Sequence, residues 1–168
     1  PGVAQIDFGV AKARIAGELV DDHCLVVTFP HSNMRYVTSL PGENAECLCH
    51  GLVEVFEHIG GVPPVIVMDN ATGAGRRNAR GEVTPAAVLD VFDIKKSLSH
   101  KGNPYDNAVV ESTNRPLKKE LVYRNHYTTI EQLRHDPDDY VWWSDNQRLH
   151  STLGYRSPKE FTEQGLVL

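Results

Sequence analysis

The sequence predicts an α/β domain in which a sheet of mixed strand direction is covered by helices. Three observations predict it. Residues 3 to 10, VAQIDFGV, alternate, with Ile6, Phe8 and Val10 on one side and Gln5 and Asp7 on the other, the period of a strand. From Asn44 to Ile59 the apolar residues Ala45, Leu48, Leu52, Val55, Phe56 and Ile59 recur every three or four positions, the period of an amphipathic helix. After that helix, PPVIVMD at 63 to 69 is an unbroken apolar run closing on Asp69, which suits a strand buried on both faces.

The remaining elements follow in chain order. HCLVVTF (23 to 29) and RYVTSL (35 to 40) are rich in β-branched and aromatic residues, and the Pro-His-Ser-Asn turn between them makes a strand pair. With the first strand they form an antiparallel meander. Gly60-Gly61 ends the first helix, and a strand reached through a helix lies parallel to an earlier one. Residues 71 to 84, ATGAGRRNARGEVT, have no period and read as a loop; a short helix over Pro85 to Val91 and a strand at DIKKSLS follow. Asn103 is placed to cap a further helix with Pro104 at its first position, where a missing N–H costs nothing. That helix runs to about Tyr123 with Val110, Leu117 and Leu121 as its apolar stripe, and Asn107, Glu111, Asn114 and Lys118 on a neighbouring face. A last helical region spans Ile130 to about Gln147, where Pro137 is expected to kink or restart it with Asp136 as cap. The ribonuclease H-like fold has this order, with five strands.

Composition excludes several classes. No apolar run approaches the length of a membrane span, and the N-terminus has no signal-peptide pattern. A cytoplasmic protein is expected. The chain lacks an initiator Met and opens almost on a strand, the expectation for a piece of a longer protein. Three cysteines, Cys24, Cys47 and Cys49, give no disulfide framework. Cys47, Cys49 and His50 lack the second ligand pair of a zinc site, so they read as ordinary positions on a helix. The net charge is −5, against a general nucleic-acid binder. The distribution is uneven: Lys95, Lys96, Lys101, Arg115, Lys118, Lys119 and Arg124 face only Asp106, Glu111 and Glu120 in one stretch. This basic excess surrounds the stretch GNPYDNAVVES that carries Glu111.

Three acids fall at telling places: Asp7 within a strand, Asp69 at the end of a buried strand, and Glu111 on a helix. Phosphodiester chemistry uses two divalent ions to activate the attacking oxygen and stabilise the leaving one, and Mg²⁺ needs only two or three carboxylates. Any one such acid is ordinary surface; the combination with the local wording is not.

Residues 4 to 83, with AQIDFG, ELVDDHCLVVTFPHSNMRYV and PPVIVMDNATGAGRR, resemble the IstA-type transposases of bacterial insertion sequences, which work with an AAA+ ATPase helper. From about residue 92, SLSHKGNPYDNAVVESTNRPLKKELVY and DNQRLHSTLGYRSPKEF resemble the OrfB-type transposases. Both belong to the DDE transposase and retroviral integrase superfamily, so the likeness implies an integrase-core catalytic domain over 1 to 168, with a closing tail at about 148 to 168. It implies that Asp7, Asp69 and Glu111 are catalytic and ligate two Mg²⁺ or Mn²⁺ ions. It further implies that Lys118 reaches element-end DNA, with Asn107, Lys101, Arg115 and Lys119 as further DNA-binding residues. Asn107 would orient Glu111 or a water; Asp106 is either part of the motif or a helix N-terminal acid favoured by the dipole. The implied partners are element-end and target DNA and further copies of the chain on DNA, near the nucleoid. The sequence departs from the superfamily in one respect: the 41 residues from 70 to 110 between Asp69 and Glu111 exceed the usual spacing, and the excess falls in the Gly/Arg loop.

Arg148 and His150 recur in the closing motif and are expected to be structural, with a tight turn at Leu153-Gly154 before Pro158. Trp142 and Trp143 are expected to fill core and rim. His100 and Lys101 precede the third acid's helix, where DNA would pass. The expected reaction is cleavage of a DNA strand followed by attack of its 3′-hydroxyl on a target phosphodiester, with no covalent protein intermediate. Two alternatives stand beside it: a metal-dependent nuclease of the same fold that makes nicks only, and a non-catalytic DNA-binding or assembly remnant.

Overall fold

The computed structural model describes residues 2–68, 89, 92–98 and 108–165. Strand β1 (Val3–Ile15) is the spine of the sheet. It pairs antiparallel with β2 (Glu18–Phe29), which pairs antiparallel with β3 (Met34–Leu40). On its other edge β1 runs parallel to β4 (Val65–Met68), in the register Ile6 to Met68, and β4 runs parallel to β5 (Lys95–Leu98). The mixed order β3-β2-β1-β4-β5 is the expected five-stranded sheet. A two-residue strand, β6 (His126–Tyr127), extends it by pairing parallel with Arg14 and Ile15, beyond the end of β4.

Among the described residues lie the helices α1 (Ala45–Ile59), α2 (Ala108–Pro116), α3 (Ile130–Asn146) and the short α4 (Pro158–Glu163). The Asn44 side chain caps α1 by accepting from the Cys47 amide, and Gly60 closes it in the left-handed conformation at φ 67°. Ser157 and Glu160 form a reciprocal capping box on α4, with Pro158 in its first turn. Gly154, at φ 64°, makes the tight turn before it.

The pleat divides β1 into two roles. Ala4 and Ile6, fully buried, face α1 and join Leu25, Val27, Leu48, Leu52, Phe56, Ile66 and Met68 in the largest apolar core. The odd-numbered residues face α2 and α3. At the far end of the strand they are apolar, Ala11 and Ala13 packing with Val122, Tyr127 and Leu133. Nearer the middle they are Gln5, Asp7 and Gly9. A third cluster, Cys24, Val26, Val37, Val110, Leu117 and Leu121, seats α2 on β2 and β3.

Four expectations are corrected. The first two strands are longer than read, joined through Ala16 and Gly17, both at positive φ, in a two-residue hairpin that pairs Ile15 with Glu18. Small and charged residues between 11 and 22 hid this from a hydrophobic reading. The helix of the third acid does not continue as α-helix to Tyr123: Leu117–Val122 is π-helical, the Tyr123 amide donating to the Lys118 carbonyl five residues back. Pro116 has no N–H for the Ser112 carbonyl, and the wider turn follows that missing bond. Helix α3 runs as one helix through buried Pro137, capped by Thr129 rather than restarted at Asp136, whose carboxylate accepts from Asn125. Trp142 and Trp143 are 58% and 41% exposed, because α3 turns Leu133, Pro137, Ser144 and Asp145 inward instead. The expected loop at 71 to 84, most of the short helix at 85 to 91, and the Asn103-Pro104 cap lie outside the described residues.

A candidate acid and base cleft

Asp7 and Glu111 line one open cleft of about 350 Å³, together with Asn114, Arg115, Lys118, Lys119 and Tyr123. The cleft is made where the polar stretch of β1 meets α2 and the π-helical turn. Each neighbour of Asp7 on its face of β1 has a task. The Gln5 side-chain carbonyl accepts from the Val110 amide of α2 at 3.2 Å. This fixes the start of α2 against β1. The Asn114 side chain, one turn beyond Glu111, donates to an Asp7 carboxylate oxygen at 2.8 Å. Gly9 leaves room for the basic side: a Cβ there would lie 3.2 Å from the Asn114 Oδ1 and 3.3 and 3.4 Å from Cε and Nζ of Lys118. Thr28 and Thr113, 3.4 Å apart, tie α2 to β2.

Two acids and three cations thus share one wall-to-floor arrangement. Asp7 is half-buried and Glu111 is exposed, so both reach solvent. The buried Asn114 Oδ1 has no hydrogen-bond partner among the described residues. The carboxylates of Asp7 and Glu111 line the same solvent-open cleft, and a hard divalent cation takes such oxygen ligands and keeps part of its water. The residues present therefore fit Mg²⁺ or Mn²⁺. Among the described residues no group of three His, Cys, Asp or Glu side chains is placed to hold a metal.

Of the site residues expected from sequence, Asp7, Glu111, Arg115, Lys118 and Lys119 come together in this cleft. Asp69, Asn107 and Lys101, with His100 and Asp106, lie outside the described residues. Asp69 is the residue after Met68, and Met68 is the β4 partner of Ile6, the residue before Asp7. Asn114 was legible as a member of the Glu111 face but carried no role; its bond to Asp7 spans 107 positions and only the fold reveals it. Tyr123 enters the cleft through the π-helical turn.

A second polar group lies behind α3. The Asp145 carboxylate accepts from the Arg35 backbone amide at 3.0 Å and lies 3.5 Å from the Arg35 Nε, within ion-pair distance but outside hydrogen-bonding geometry. Burial pushes Asp145 up to about 6, against the pull of Arg35. Burial, then the positive charges of Arg35 and Arg148, push His150 down to about 4. His150 also pairs through its backbone with Arg156, the structural use expected of the closing motif.

Comparison with known proteins extends this picture. Residues 92–158 match the Integrase core domain family. The chain is 41% identical over 99 residues to the transposase for insertion sequence element IS904 of Lactococcus lactis subsp. lactis, a match covering 58% of this chain and 38% of that one. It is 34% identical over 77 residues, 46% of this chain and 27% of the relative, to the putative transposase InsK for insertion sequence element IS150 of Escherichia coli K12. It thus spans well under half the length of these curated relatives. Among solved structures, the catalytic core domain of BIV integrase superposes with a TM-score of 0.65 at 18% identity, covering 98% of this chain and 95% of that one. A chain of the simian T-cell lymphotropic virus intasome in complex with PP2A regulatory subunit B56 gamma superposes with a TM-score of 0.75 at 16% identity, covering 96% of this chain and 54% of that one. The fold is therefore the ribonuclease H-like fold of integrase catalytic cores, and over residues 92–158 the chain is similar to the Integrase core domain family.

Proposed function

We propose that the chain is the catalytic domain of an insertion-sequence transposase, cutting a DNA strand and joining its 3′-hydroxyl to a target strand in a reaction that depends on divalent metal. The observation that carries this reading is the meeting of Asp7 and Glu111 with Arg115, Lys118 and Lys119 in one cleft. Asp7, Glu111 and, from its sequence position, Asp69 would hold two Mg²⁺ or Mn²⁺ ions. Such ions supply an activated attacking oxygen and charge stabilisation for the leaving oxygen.

The chain's own groups do the rest. Asn114 orients the Asp7 carboxylate by a bond to one of its oxygens. Lys118, lying across Gly9, and Lys119 and Arg115 bind phosphate oxygens and hold the strand in line with the acids. Their charge supplies sequence-independent affinity that falls steeply with salt. Asn107 and Lys101 belong to the same proposal by sequence alone. The partners are DNA and further copies of this chain; the AAA+ helper rests only on the IstA-type wording of residues 4 to 83. A cytoplasmic, nucleoid-associated protein fits these partners.

Product analysis tests the reading. Incubated with Mn²⁺ and a duplex carrying the element's end, the protein should yield both nicked and joined strands. Nicks without joints would leave a nuclease, and no product in the presence of firm DNA binding would leave an assembly remnant.

A further inference from the structure

We propose that Glu120, Tyr140 and Arg148 form a clamp that positions the basic side of the cleft, making the closing motif a part of DNA binding without touching DNA. The inference rests on the transposase reading above. Glu120 lies in the π-helical turn directly after Lys118 and Lys119. Those two lysines and Tyr123 face the cleft, whereas the Glu120 carboxylate turns the other way, toward α3. There Glu120 Oε2 accepts from the Tyr140 hydroxyl at 2.8 Å and from Arg148 Nη1 at 3.1 Å. Arg148 Nη1 also donates to the Tyr140 oxygen at 3.1 Å, and the guanidinium lies 5.7 Å from the centroid of the Trp143 ring. The exposed Trp143 is thereby explained as the plate that orients Arg148.

The physical case is geometric. The Arg148 and Glu120 side chains are 31% and 37% exposed, so as an ion pair they add little to stability. Four hydrogen bonds among these three side chains from separate segments, the fourth from Arg148 Nη2 to Glu120 Oε1 at 3.5 Å, instead fix where the π-helical turn lies. A π-helical turn is the least regular piece of this helix and has the most to gain from an outside tether. Tyr140, pushed up to about 12 by burial and by the Glu120 carboxylate, remains a hydrogen-bond donor at every working pH.

Binding of a 30-base-pair duplex to the whole chain, measured at several salt concentrations, separates the clamp from simple electrostatics. Glu120→Gln removes a negative charge beside Lys119, which alone should tighten binding to DNA. The clamp predicts the opposite sign: binding about three- to tenfold weaker, with the slope of log K against log salt reduced by about one, as when one phosphate contact is lost. Tyr140→Phe, which changes no charge, should move both readouts in the same direction. Lys118→Ala should add little further loss in the Glu120→Gln background, since the two act on one contact. If wild type binds and Glu120→Gln or Tyr140→Phe binds equally well or better, the clamp is wrong while the transposase reading stands. If wild-type chain binds no duplex at low salt, both fall together.

Discussion

The two faces of strand β1 divide the labour of this molecule. The even-numbered residues Ala4 and Ile6 are fully buried against the α1 side, in a core that is almost entirely apolar. The odd-numbered residues Gln5, Asp7 and Gly9, one position away in each case, hold a helix start, an acid and a gap for a lysine. Stability is drawn from one face and the candidate chemistry is placed on the other, so a strained or charged site costs the core nothing directly. Substitutions at adjacent positions should therefore have opposite signatures.

The largest contrast is between Asp7 and Ile6. Asp7→Asn keeps the side-chain volume and should lower strand cleavage and joining by about a thousandfold or more, the scale of removing a group that acts as part of a unit, with the melting temperature scarcely changed. Ile6→Ala should instead cost about 2–5 kcal/mol of stability by leaving a cavity under α1, read as an earlier denaturant midpoint. Equal destabilisation by both would break the division of faces. Next in size, Asn114→Ala should reduce activity by about 10- to 100-fold, because an Asp7 carboxylate without its tether is still present but less well oriented. Retention of full activity would mean that the Asp7 bond is ornamental.

The Arg35, Asp145 and His150 group sharpens the comparison, since there the polar atoms are buried and not offered to solvent. Asp145, raised to about 6 in the fold, favours the folded state most below its ordinary range and loses that advantage as pH rises through 6. His150, lowered to about 4, works in the other direction: the unfolded chain takes up its proton first, so stability falls as pH drops below about 6.5 toward 4. The two slopes oppose each other between pH 4 and 6. Asp145→Asn removes one of them, and the variant should lose about 1 kcal/mol more stability than wild type between pH 7 and pH 5. Parallel melting curves for both proteins across that range would contradict the assignment. The smallest effect is at the hairpin: Ala16→Asn, at a left-handed position that Asn tolerates better, should raise stability by about 0.5–1 kcal/mol in a denaturant titration.

Much of this was legible in the sequence, for identifiable reasons. Asp7 stood out because its strand alternates, and the helix over Ala45 to Ile59 because its apolar period is unbroken. Glu111, Arg115, Lys118 and Lys119 could be grouped because one short element carries them all. What escaped was either local geometry with a weak hydrophobic signal or contact between distant positions. The stretch from Ala11 to Asp22 pairs through its backbone, and its alternation is carried by alanines too small to read as a core. The π-helical turn depends on a hydrogen bond that Pro116 cannot make, which propensity alone does not convert into a new helix type. Asn114 with Asp7 and Asp145 with Arg35 are joined across 107 and 110 positions. The tryptophans misled because bulk suggests burial, whereas Trp143 is used at the surface against Arg148.

Under the proposed transposase function, Asp7 and Glu111 together hold a divalent cation in the cleft. Titration of Mn²⁺ into the protein with duplex DNA present, followed by the loss of the free-ion electron paramagnetic resonance signal, measures this directly. Wild type should take up Mn²⁺, and both Asp7→Asn and Glu111→Gln should weaken that uptake more than tenfold. Uptake unchanged in either variant would contradict the account.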